Sequence, residues 1–130
     1  MCGDPSVRHG RGRRVRRTLV AGAPSPELAP DVEGLTLLGE GAKTWLMASS
    51  QGDSAFAVWR DEGEAPAYAG RFSAMPANGV DAVTGTDGVA ALGGPVGRFP
   101  EGLVVMQDDR DMDGEVHVDG VRRQNFKLVD

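Results

Sequence analysis

Short stretches in which apolar and polar residues alternate, each closed by glycine or a polar turn, follow Pro30 along the chain. SAFAVWR alternates most regularly, with Phe56 and Val58 on one face and Trp59 on the other. A period of two residues is typical of a half-buried β-strand. The pattern therefore predicts four short strands with a tight turn at 51–54, and these strands lie at 34–39, 44–50, 54–60 and 66–74.

The same plan starts again further along the chain. The segment at 87–95, DGVAALGGP, repeats the order found at 33–41 in EGLTLLGEG: an acid, a glycine, an apolar run and another glycine. Further strands are predicted at 102–108 and 124–130. An acid–glycine–strand unit that recurs at roughly 50 residues is typical of propeller blades and similar arrays. No periodic run long enough for a helix of about 10 residues accompanies these strands, so the predicted fold class is all-β.

Charge is distributed unevenly between the start of the chain and the rest. Residues 1–20 hold six arginines and one acid, whereas the other 110 residues hold 8 basic and 18 acidic side chains. We interpret residues 1–17 as a basic, disordered leader and 18–130 as the folded segment. An acidic folded segment argues against nucleic acid as its partner, and no apolar run approaches the ~20 residues of a membrane span. Because Cys2 is the single cysteine, an internal disulfide and a cysteine-based metal cluster are excluded.

Two acidic stretches are candidates for cation binding. Asp31 and Glu33 stand one residue apart in DVEGLTL, and an extended chain points both to the same face. Such like charges repel each other unless a hard cation bridges them. The second stretch, DRDMDG at 109–114, has the first spacings of an EF-hand loop, but its twelfth position is Gly120 instead of the required glutamate. We therefore interpret it as a solvated turn or a different kind of calcium loop.

Several segments together resemble the C-terminal part of the β-propeller phytases. They follow in the same order from about residue 28 to residue 130, as APDVEGLTLL, WLMASSQGDSAFAVW, VDAVTGTDGVAALGGPVGRFPEGLVVMQDD and QNFKLV. The resemblance implies a partial β-propeller, with about two antiparallel four-stranded blades of a six-bladed architecture. It also implies a secreted protein and calcium as the cofactor.

The resemblance further implies two groups of calcium ligands. In the first group, Asp31 and Glu33 supply the active-site carboxylates and act in catalysis through the bound calcium. Gln51 adds a neutral side-chain oxygen of the type that hard cations accept. The second group would hold a structural calcium between an Asp-rich loop and the end of the next strand, and its members are Asp81, Asp87, Gln107 and Asp108.

The activity implied by the resemblance is the calcium-dependent hydrolysis of phytate to lower inositol phosphates and phosphate. In the family, most phosphate-binding lysines and arginines come from blades that precede this segment. We therefore expect little or no activity from this chain alone, unless another chain supplies those blades. Two alternatives stay open: a non-catalytic calcium-binding or interaction module, and nucleic-acid binding through the arginine-rich leader.

Overall fold

The computed structural model describes residues 17–39, 43–63, 65–110 and 124–130, which form two antiparallel β-sheets. The first sheet has four strands in sequence order, namely β1 (Leu35–Leu38), β2 (Trp45–Ser50), β3 (Ala55–Arg60) and β4 (Ala67–Phe72). The second has three, namely β5 (Val89–Gly93), β6 (Gly102–Asp108) and β7 (Asn125–Val129). In the part of the chain that the structure describes, no helix is long and apolar enough to cross a membrane.

The all-β prediction is confirmed, and every strand lies inside a segment that the alternation predicted. Each sheet resembles a propeller blade, and the two do not close on each other. Four strands were predicted for each blade, and the described part of the second sheet contains three. The predicted leader up to residue 16, and residues 111–114 of DRDMDG, lie outside the described residues.

The two faces of β3 pack into two different clusters, as its alternation predicts. Phe56 is completely buried and stacks on Phe72 with ring centroids 5.3 Å apart. Its cluster includes Val83, from the segment before β5, and Met106 of β6, so this cluster joins the two sheets. On the opposite face, Trp59 is buried in a cluster with Leu28, Ala48 and Ala57. Burial of one such large side chain stabilises the fold by about 1.5–3 kcal/mol.

The first strands of the two sheets start side by side. A Cβ atom on Gly34 would lie 2.8 Å from the backbone nitrogen of Val89 and 3.2 Å from the Cα of Gly88. Glycine at position 34 is therefore what allows the two backbones to approach. The backbone N–H of Ala91 in β5 also donates to Thr36 Oγ1 in β1, at 2.9 Å. This contact brings the residues that precede the two strands close together.

Candidate functional site

Two acids, Glu33 and Asp87, meet where β1 and β5 begin. Each stands immediately before a glycine that leads into the strand, which is the repeated unit found in the sequence. The negative charge of Asp87 raises the pKa of Glu33 above its ordinary value of 4.5, and a hydrogen bond between the two side chains and the charge of Asp31 add to this effect. Like charges at short range disfavour the ionised form. The structure thus gathers three acids at the adjoining ends of two sheets.

Gln51 links the segment of Asp31 to the loop of Asp87. It begins a short 3-10 turn, Gln51–Asp53, directly after β2. Its backbone N–H donates to the carbonyl oxygen of Asp31 at 3.0 Å, and its Nε2 donates to Asp87 Oδ1. The sequence predicted that the amide oxygen of Gln51 would serve as a ligand. Rotation of the amide by 180° would present that oxygen to the acids in place of the nitrogen.

Two buried serines hold the backbone that carries Asp31 and Glu33. Ser49 Oγ accepts hydrogen bonds from the backbone nitrogens of Glu33, at 3.2 Å, and Gly34, at 2.7 Å. Ser50 Oγ accepts one from the backbone nitrogen of Ala29 at 2.9 Å. Neither serine was predicted to have a role. The available signal was a pair of hydroxyls at the end of an apolar strand, because buried hydroxyls need hydrogen-bond partners.

The second sheet holds its acid in the same way. Gln107 Oε1 accepts the backbone N–H of Asp87 at 2.7 Å, as the hydroxyl of Ser49 accepts that of Glu33. The backbone N–H of Gln107 donates to the carbonyl oxygen of Gly88 at 2.9 Å, again as in the first sheet. The sequence repeat is therefore also a repeat of hydrogen bonds, which hold the backbones of the two acids in the same way.

The second predicted ligand group is divided in the structure. Asp87 joins Glu33, as described above. Asp81 and Asp108 instead face the side chain of Lys127, whose ammonium contacts Asp81 and lies 3.3 Å from Asp108 Oδ2. Lys127 thus contacts two of the side chains that the resemblance assigned to a structural calcium ion.

A cleft of about 670 Å³ is bordered by Gln51, which contacts Asp87. It is lined by residues of the turn at 51–54 and of the loop at 81–85, and by Asp109 and Arg110 at the end of β6. Of the described residues that line the cleft, Arg110 alone has a basic side chain, and that side chain is 62% exposed. Through Gln51, the cleft connects directly to the acidic cluster.

Within the described ranges, no group of three or more His, Cys, Asp or Glu side chains is arranged to hold a metal ion unaided. The donor set at Glu33 and Asp87 nevertheless suits a hard cation. It offers two carboxyl groups in hydrogen-bond contact and the amide of Gln51. Calcium accepts such oxygens and completes its 6–8 ligands with backbone carbonyls and water. These residues therefore fit calcium as part of its coordination shell.

Asp53 stabilises the turn that carries Gln51, and this predicts a pH effect. Burial alone would raise the pKa of Asp53, but hydrogen bonds from Ser50 and Arg71 and the charge of Arg71 lower it below the ordinary value of 3.8. Asp53→Asn should therefore lower the free energy of unfolding, by less than about 1 kcal/mol because solvent screens the exposed pair. The difference from wild type should be complete above pH 3.8 and should disappear as the pH falls through the lowered pKa. Urea unfolding at several pH values measures the difference in stability between Asp53→Asn and wild type. An equal difference at every pH would contradict the assigned role of the Asp53 carboxylate.

Comparison with known proteins identifies relatives of this chain. The family model described as Phytase matches residues 7–130. The 3-phytase of Bacillus subtilis (strain 168) is 35% identical over 109 residues, which cover 82% of this chain and 27% of that protein. The chain thus corresponds to about a quarter of the length of this relative.

Proposed function

This chain belongs to the phytase family, and we propose that its cluster of acids binds calcium and forms part of a site that hydrolyses phosphate esters of phytate. The contact between the carboxyl groups of Glu33 and Asp87 carries this proposal. Two carboxylates that approach each other across two sheets must share a proton or a cation. Near neutral pH, a divalent cation satisfies both acids and also Asp31.

We assign each side chain a role from its position in the structure. Glu33 and Asp87 would hold the ion, with Asp31 as the third charge. Gln51 orients Asp87 through its amide. When bound, calcium would polarise a phosphate ester and lower the pKa of a bound water. Arg110 lines the cleft and lies 3.9 Å from Asp109, and it would pair with an oxygen of an incoming phosphate.

Charge explains why the cation is needed. The whole chain carries a formal charge of −5, and phytate is a polyanion. Without a cation, the acids at the cleft would repel the phosphates of the substrate. With the acids neutralised, the same place becomes attractive to phosphate. The proposal therefore makes both binding and turnover of phytate depend on the same ion.

A second candidate function is a calcium-binding module that does not turn over substrate. The observation that favours it is the cleft lining, because Arg110 is the one basic side chain among its described residues. A polyanionic substrate needs several cationic contacts to be positioned for reaction. In this reading the chain binds calcium but does not hold phytate in a reactive position.

Calcium titration and phosphate release from phytate test the proposal together. From the chain alone we expect heat of calcium binding in calorimetry and a higher melting temperature with calcium. We expect phosphate release, which stops when a chelator is added, once the other propeller blades are supplied. Magnesium at the same concentration is the matched control, because its smaller octahedral shell suits flexible carboxylate sites less well. Calcium binding without release would favour the module, and the absence of calcium binding would refute both functions.

A further inference from the structure

The side chains of Lys127, Asp81 and Asp108 form a buried charged group at the junction of β7, β6 and the loop before β5. Their exposed fractions are 9%, 10% and 0%, respectively. The ammonium of Lys127 hydrogen-bonds to Asp81 Oδ1 and lies 3.3 Å from Asp108 Oδ2. Oδ2 has no hydrogen-bond partner among the described residues, so its ion pair with the ammonium is the contact that offsets its charge.

Two further oxygens of the second predicted ligand group already have protein partners. Asp108 Oδ1 accepts from the backbone nitrogen of Thr84 at 2.9 Å and from its hydroxyl at 3.1 Å. Gln107 Oε1 accepts the backbone N–H of Asp87 at 2.7 Å. A divalent ion would have to displace these donors and also lie beside an ammonium. While the ammonium of Lys127 is in place, these residues therefore do not fit a calcium ion here.

The repeat explains how this arrangement arises. In the first sheet, the hydroxyl of Ser50 accepts the backbone N–H of Ala29. In the second sheet, Asp108 takes the same position and accepts that of Thr84. A carboxylate makes a stronger acceptor than a hydroxyl, but it brings a buried negative charge that needs a partner.

The charged state of Lys127 is favoured in this setting. Burial alone would lower the pKa of Lys127, but the hydrogen bonds and charges of Asp81 and Asp108 raise it above its ordinary value. The ammonium of Lys127 is thus favoured in its charged form beside Asp81 and Asp108.

We propose that Lys127 is a built-in cation that takes the place of a metal ion between Asp81 and Asp108, and that it thereby positions the loop that carries Asp87. The path is short: Lys127 holds Asp108, and Asp108 and the adjacent Gln107 bind the backbone at Thr84 and at Asp87. The positioning role rests on the proposed function of Asp87 as a calcium ligand. The replacement of a metal ion by Lys127 does not depend on that proposed function.

The number of calcium ions bound per chain tests the replacement. Asp81→Asn should bind the same number of calcium ions as wild type in calorimetry or equilibrium dialysis. Lys127→Met leaves two buried carboxylates without their cation, so it should bind at least one more ion and gain more in melting temperature from calcium than wild type. Loss of one calcium in Asp81→Asn would overturn the proposal, as would Lys127→Met that folds but gains no ion.

A double-mutant cycle of Lys127→Met with Asp108→Asn tests the pair in the absence of calcium. The loss in melting temperature of the double variant should be clearly smaller than the sum of the two single losses, because each single change leaves an unbalanced partner. Additive losses would overturn the ion pair. This outcome does not depend on calcium, so it separates this proposal from the proposed function.

If Lys127 positions the loop that carries Asp87, its neutralisation should weaken calcium binding at the distant acids. A conservative substitution that keeps the charge should preserve that binding. Lys127→Gln should weaken calcium binding at Glu33 and Asp87 by about 10–100-fold, as loss of an outer-shell partner does. Lys127→Arg keeps the charge and should stay close to wild type, with each variant measured well below its own melting temperature. Equal affinities in wild type and Lys127→Gln would overturn the positioning role.

Discussion

Glu33→Gln should remove most of the calcium response of the protein while it leaves the fold intact. The substitution preserves the shape and hydrogen-bonding capacity of the side chain and deletes one of the charges that meet at the start of β1 and β5. Loss of an outer-shell partner alone typically weakens metal binding 10–100-fold, so loss of a direct ligand should weaken calcium binding by at least about tenfold. Isothermal titration measures this, and the rise in melting temperature on calcium addition should shrink with it.

Without calcium, Glu33→Gln should differ from wild type in the pH dependence of its stability. The charge of Asp87 raises the pKa of Glu33 in the folded state above 4.5, so the folded state binds this proton more tightly than the unfolded chain does. As the pH rises from 4.5 through the raised pKa, the calcium-free wild type should therefore lose stability. Glu33→Gln lacks this titration and should lose less over that window. Without a bound cation, the contact between Glu33 and Asp87 therefore destabilises the folded state above that window.

Glu101→Gln is the matched control for this change of charge. Glu101 is an exposed acid at the start of β6, outside the cleft and the acidic cluster. Its substitution should leave the calcium affinity as in wild type. Equal calcium affinities in wild type and Glu33→Gln would contradict the assignment of Glu33 as a ligand.

Local pattern was enough to predict the strands and to single out the acid pair Asp31 and Glu33. The alternation of SAFAVWR decided the two faces of β3, because a strand has a period of two residues and both faces here are buried. The pair Asp31 and Glu33 was visible because residues two apart share a face. Gln51 was placed at the first group through the family resemblance, and it does link Asp31 with Asp87.

The meeting of Glu33 with Asp87, and of Lys127 with Asp81, depended on contacts between segments that are distant in sequence. Asp87 was placed with the second ligand group, and it lies at the first because Gly34 allows β1 to approach the backbone at Gly88. The acid–glycine unit at both strand starts was the clue, since equivalent residues of neighbouring repeats lie side by side. No local pattern pointed to Lys127, which is on the last strand and meets Asp81 through tertiary packing.

Gly52→Ala should lower the stability and disturb the proposed calcium site through a backbone clash. A Cβ atom at residue 52 would lie 2.0 Å from the carbonyl oxygen of Pro30. Real atoms cannot approach so closely, and a backbone atom cannot rotate away as the end of a side chain can. The turn and the segment at Pro30 must therefore separate, at a cost of about 1–3 kcal/mol, which is usual for overpacking.

That separation should act directly on the acids. Gln51 precedes the glycine, and Asp31 follows the proline, so the hydrogen bond of 3.0 Å between their backbones lies beside the clash. Moving them apart would carry Asp31 away from Gln51 and misplace the amide that reaches Asp87. We expect a lower urea midpoint and weaker calcium binding in the same variant.

Gly22→Ala separates the clash from the general effect of replacing glycine. Nothing lies within 4 Å of a Cβ atom at residue 22, and its φ is outside the left-handed region. Alanine at such a position should leave stability unchanged or raise it by about 0.4–1 kcal/mol, because the unfolded chain loses freedom. If Gly52→Ala matched Gly22→Ala in both measurements, the close packing of the turn against Pro30 could not be what places Gln51 among the acids.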